Sequence, residues 1–159
     1  MGTLKCGFLL FWAGWFTLVL ATNVCDGLKA LGVLPVGWVF ASGNFAFIGS
    51  VTAKFAVPAA VNSLFFLLVV LWQAAAAGLL WIAFARAISD ERPDWAPATT
   101  AFAVSLALWA AFIMADELFV AFETGVEGVH LRLFTAQLAS LLAIHLLPDD
   151  RANTPGGAP

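Results

Sequence analysis

Charge is what this chain has least of. Seven basic and ten acidic residues make up 11% of its 159 residues, where a soluble domain carries about 25%. The shortage is concentrated in long runs. Phe55–Ala85 is 31 residues without a charged side chain, Cys6–Cys25 is 20 and Trp95–Ala115 is 21. Gly128–Pro148 is interrupted only by His130, Arg132 and His145. About 20 apolar residues cross a bilayer core as a helix, so the missing charges are the ones that lipid would penalise.

Other absences narrow the function. Cys6 and Cys25 are the only cysteines, and they bound the first apolar run. On a helix they stand about 28 Å apart, so they cannot bridge each other and say nothing about redox compartment. Net charge is −3 with no basic cluster, which excludes nucleic acid as a partner and a polybasic lipid-binding segment. No Gly-rich phosphate loop, HExxH pair, Cys/His zinc spacing or ordered Ser/His/Asp set is present. No catalytic residue, cofactor or metal is therefore expected, and enzymatic activity is disfavoured. No Asp, Glu or Lys falls at the middle of any apolar run, which argues against a proton pump.

What is present predicts an all-α fold, an integral membrane four-helix bundle with an interfacial or re-entrant segment between the first two spans. One transmembrane domain, 1–148, holds spans at about 4–22, 57–86, 98–119 and 129–147, and 149–159 is a Pro/Gly-rich disordered tail. Thr22, Asn23, Asp26 and Gly27 are turn residues that end the first span. Pro58 suits a first helical turn, Pro93 and Pro97 punctuate the only strongly polar loop, and Pro148 stops the fourth span. The first run also has the outline of a signal peptide, with small residues near Val19-Leu20-Ala21, but its length and its Trp12 and Trp15 favour a retained span.

The stretch from Ala30 to Ala53 is uncharged but carries Pro35, Gly32, Gly37, Gly43 and Gly49 and no helical period. An interfacial or re-entrant course suits it better than a fifth span, with Trp38, Phe40, Phe45 and Phe47 at headgroup depth. Lys5, Arg86, Arg92 and Arg151 on one side outnumber Lys29, Lys54 and Arg132 on the other. The bias predicts a multi-pass inner-membrane protein with both termini cytoplasmic.

Polar residues inside or beside the spans are the candidate sites. Asp116, Glu123 and Glu127 share one face if the third span runs on through them, and three carboxylates suit a hard cation. A solvated helix end is the plainer alternative, with Gly125 breaking the helix. Arg132, one turn into the fourth span, needs a partner, and Glu117, Glu123 and Glu127 lie across the short loop. Gln73, Ser105, Gln137 and Ser140 lie near mid-span and read as interhelical ties, or as a polar path for a proton, ion or quinone headgroup. His130 and His145 are roughly 22 Å apart on one helix and cannot share a haem. Ala74 and Gly78 have the spacing that lets helices approach closely, within the bundle or against another subunit.

Asn23–Asp26, Ser42-Gly43-Asn44-Phe45-Ala46-Phe47-Ile48, Asp116-Glu117-Leu118-Phe119 and Gly128 with Arg132 carry a resemblance when taken together. The chain resembles an uncharacterised bacterial family of predicted small integral membrane proteins with four spans. In that family Asn-Phe, Glu-x-Phe and Gly…Arg stretches flank the spans on the outer side. Leu118 stands where the family has tryptophan, and 27–42 reads as an insertion. The resemblance implies membrane topology and an outer-face cluster of Asn44, Glu117 and Arg132, and brings no activity with it.

The function expected is a non-enzymatic accessory or assembly subunit of a membrane complex, its partners being the lipid bilayer and other membrane subunits or itself. A small channel or transporter acting as an oligomer is the alternative.

Overall fold

The computed structural model describes residues 2–90, 93–121 and 125–148. The 149–159 tail expected to be disordered, and Glu123 of the carboxylate set, lie outside them. Among the described residues five α-helices follow in order: α1 Gly2–Ala30, α2 Asn44–Thr52, α3 Ala59–Ser89, α4 Ala96–Leu118 and α5 Val126–Leu146. A single 3-10 turn, Ala53–Phe55, follows α2. Helices α1, α3, α4 and α5 are each long and apolar enough to cross a membrane, and they pack together as a four-helix bundle.

The bundle is held by residues at three- and four-residue spacing. On α1 these are Leu9, Trp12, Ala13 and Phe16, and the same stripe continues into Asn23 and Asp26. On α3, Ala76, Ala77, Leu80 and Ala83 bring that helix close to its neighbours. Phe102 and Leu108 of α4 and Ile144 of α5 close the centre. Many large apolar side chains, among them Phe11, Leu18, Leu67, Leu71 and Ile82, are exposed, the outer surface a membrane-spanning bundle would present to lipid. Ala74, Ala75 and Gly78 are exposed as well.

Indole N–H groups bolt neighbouring helices together. Trp81 Nε1 donates to Thr17 Oγ1 at 2.9 Å, joining α3 to α1. Trp72 Nε1 donates to the Val104 carbonyl at 3.0 Å, joining α3 to α4. Trp12 Nε1 donates to Ser140 Oγ at 3.0 Å, joining α1 to α5.

Helix α1 runs on past the turn residues expected to stop it at 22, and ends at Ala30. Asn23 and Asp26 remain helical because their side chains reach the segment that folds back, as described below. The end is a Schellman motif: Val33 N–H donates to the Leu28 carbonyl (2.9 Å) and Gly32 N–H to Lys29 (3.0 Å). Gly32 takes the left-handed conformation that this motif requires, φ 73°. Helix α4 ends in the same motif, with Ala121 N–H on Asp116 and Val120 N–H on Glu117. There the left-handed position is filled by Val120, φ 50°, a β-branched residue in a conformation that favours glycine.

The uncharged stretch 30–53 forms no fifth span. It makes an irregular loop and then α2, nine residues and about 13 Å long, too short to cross a bilayer. The loop returns to α1 two turns back, where Ser42 N–H donates to the Thr22 carbonyl at 3.2 Å. Phe45 of α2 meets Phe66 of α3 edge to face at 5.3 Å, and Phe66 lies against Gly27 of α1.

Candidate functional site

Two polar groups lie at the end of the bundle opposite Lys5. The first is built on Asn23, which is wholly buried. Its Nδ2 donates to Gln73 Oε1 on α3 at 2.7 Å. Its Oδ1 accepts from Ser42 Oγ at 2.6 Å and from Asn44 Nδ2 at 2.8 Å. One turn on, Asp26 Oδ2 accepts the backbone N–H of Phe45 at 2.8 Å and lies 3.1 Å from Ser42 Oγ. Gly43 precedes α2 and has no side chain to cap it. Asp26, reaching across from α1, takes the capping role and adds a carboxylate at a helix N-terminus. The network therefore fixes both the return of the loop and the start of α2.

The second group is a carboxylate–imidazole pair. Asp116 Oδ2 and His130 Nδ1 are 2.6 Å apart across α4 and α5, with Asp116 buried and His130 largely so. The imidazole lies beside the rings of Phe112 (4.9 Å between centroids) and Trp109 (6.0 Å). A histidine held by a carboxylate at Nδ1 has its Nε2 oriented as an acceptor or donor toward its other side.

The expected outer-face residues divide between these groups and the surface. Asn44 belongs to the first group and Asp116 to the second, and no hydrogen bond joins the two groups among the described residues. Glu117 is exposed and Glu127 half-buried. Arg132 is exposed, and its guanidinium folds back over Gly128, 3.8 Å from where a Cβ would stand. Asp116 and Glu127 stand on different helices, because α4 stops at Leu118 and α5 begins at Val126. Among the described residues no group of three or more metal-ligating side chains comes together.

The four mid-span residues also divide. Gln73 joins Asn23, while Ser105, Gln137 and Ser140 lie along α4 and α5. These two helices are antiparallel, and two side-chain contacts set their register: Asp116 with His130, and Thr99 Oγ1 with His145 Nε2 at 2.8 Å. Seven residues, nearly two turns, inward from Asp116 and from His130 are Trp109 and Gln137, which the register sets opposite each other. One turn further it sets Ser105 opposite Ser140. Gln137 is 0% exposed and Trp109 4% exposed. Among the described residues, neither polar side-chain atom of the Gln137 amide nor Trp109 Nε1 has a hydrogen-bond partner. Ser105 Oγ donates to the Phe102 carbonyl and Ser140 Oγ to the Ala136 carbonyl.

Sequence reading missed Asn23 as the hub of the first group and Trp12 as the partner of Ser140. The signal for Asn23 is its position on the core stripe seven residues after Phe16; Trp12 carries no equivalent signal. No family model, curated protein or solved structure matches the chain.

Proposed function

We propose that this chain is a non-enzymatic accessory or assembly subunit of an inner-membrane complex, and that the loop after α1 is where it meets its partner. The observation that carries this reading is the loop's apolar arc. Val36 and Val39 are 91% and 94% exposed, and Leu31, Val33, Trp38 and Phe40 are exposed beside them. From Lys5 to Asp26 is about 32 Å along α1, already the thickness of a hydrocarbon core. A core of that thickness laid between Lys5 and Asp26 would leave the arc outside the acyl chains. An exposed apolar patch of this kind marks an interaction surface.

The arc is also held in shape. Lys29 Nζ donates to the Trp38 carbonyl at 3.0 Å and Trp38 Nε1 to the Phe40 carbonyl at 3.2 Å. The Asn23–Asp26 network anchors its returning end. Rigidity of this sort lowers the ordering cost of association. The outward Ala74 and Gly78 supply a face on which a partner helix could approach closely. The family resemblance fits the same proposal, since Asn23, Asp26, Ser42, Asn44 and Phe45, drawn from two of its motif stretches, act in one network.

The test is a mild-detergent pull-down of the tagged protein with native mass analysis, run beside a Val36→Asp/Val39→Asp variant. Stoichiometric recovery of a larger membrane protein, lost in the variant while α-helical content is kept, is the expected result. A homo-oligomer with no other component would overturn the reading.

A further inference from the structure

The α4–α5 seam carries polar side chains at four successive levels. From one end these are Asp116 with His130, Trp109 with Gln137, Ser105 with Ser140, and Thr99 with His145. Asp116 to Thr99 is 17 residues, or about 25 Å along the helix, close to the roughly 30 Å of a hydrocarbon core. Each end holds an imidazole, whose two ring nitrogens can accept a proton on one side and release one on the other. In the middle, the buried Gln137 amide and the Trp109 indole offer two donor nitrogens and an acceptor oxygen that no group among the described residues satisfies. A buried water needs two to four such partners, and leaving an amide unpartnered in an apolar core is costly.

We propose that this seam is a hydrated path that passes protons between His130 and His145. It is independent of the subunit reading, because every residue it uses lies in this chain. A proton taken by the His130 imidazole passes to water held by Gln137 and Trp109, then past the hydroxyls of Ser140 and Ser105. It leaves through Thr99 Oγ1 and His145 Nε2. Each acceptor gives up one proton for the one it receives, so nothing is consumed and movement is downhill only. The missing mid-span carboxylate, which counts against a pump, does not count against such a path.

Between the serines and His145 the register sets Phe102 beside Ile144, both 0% exposed. An apolar constriction of this kind gates by excluding water. Asp116 faces His130 from α4, with Glu127 and Arg132 near it on α5, while His145 lies at the end that also holds Lys5 and Asp94.

The experiment is proton uptake into vesicles of neutral lipid containing the purified protein, driven by a potassium diffusion potential and read with an internal pH dye. The wild type should exceed protein-free vesicles at least about tenfold, the rate equivalent of about 1.4 kcal/mol in barrier. Gln137→Leu should abolish the excess without lowering thermal stability, because the leucine removes an unpartnered amide. Phe102→Ala should raise uptake, and Leu138→Ala, on the outward side of α5, should leave it unchanged. Wild-type vesicles no faster than protein-free ones, or a Gln137→Leu variant as fast as wild type, would overturn the proposal.

Discussion

His130 Nδ1 and Asp116 Oδ2 meet at 2.6 Å, and this contact joins the end of α4 to the start of α5. Asp116 is also the residue whose carbonyl closes the α4 Schellman motif. One residue thus ends its helix with its backbone and ties the next helix with its side chain. Asp116→Ala should lower stability by about 1–3 kcal/mol, since it leaves a largely buried imidazole unpaired. Asp116→Asn keeps an oxygen acceptor and should lose less. Reversible unfolding in mixed detergent micelles measures both, and equal losses would show that the pairing is not what the carboxylate contributes.

Asn23 and Gln73 should behave as a coupled pair. Buried side-chain bonds between membrane helices are worth about 0.6–2 kcal/mol. A double-mutant cycle with Asn23→Ala and Gln73→Ala should return a coupling energy in that range. Strict additivity would mean that each amide finds another partner when the first is removed.

Val120 occupies a position built for glycine. The left-handed conformation costs an L-residue roughly 1–2 kcal/mol, so Val120→Gly should raise the unfolding free energy by about 1 kcal/mol. Gly32→Val should do the opposite at the equivalent place in α1. Nothing stands within 4 Å of a Cβ there, so the backbone alone would set the cost. An unchanged midpoint in both variants would remove strain from the account.

Gly27 is a spacer between α1 and α3. A Cβ on it would stand 3.1 Å from Phe66 Cε1. Gly27→Val should destabilise by about 1–3 kcal/mol through overpacking. Phe66→Leu, which withdraws the ring, should recover part of that loss in the double variant. If both substitutions simply add, the contact is not the cause.

Much of the bundle is legible in the sequence because runs long and apolar enough to cross a bilayer leave the chain few choices. The long uncharged runs become α1, α3 and α4, and the fourth apolar stretch becomes α5. The core stripe can also be read from spacing: Asn23 and Asp26 follow Phe16 on one face, and His130, Gln137 and Ser140 share another. Which polar groups meet is harder to read. Gln73 and Gln137 are both near mid-helix, yet Gln73 pairs with Asn23 because α3 has 31 residues and its midpoint need not match that of the 21-residue α5. Asp116 and Glu127 fall on different helices for a local reason. The left-handed turn at Val120 ends α4, and no residue preference announces a valine there.

Three of the indole bolts have a practical consequence. The chain holds seven tryptophans and no tyrosine, so its ultraviolet emission comes from indole alone. Trp12, Trp72 and Trp81 each spend their N–H on a different neighbouring helix. Separation of any of these helix pairs would return an indole to its surroundings and shift that emission, giving the bundle an optical gauge that needs no added dye.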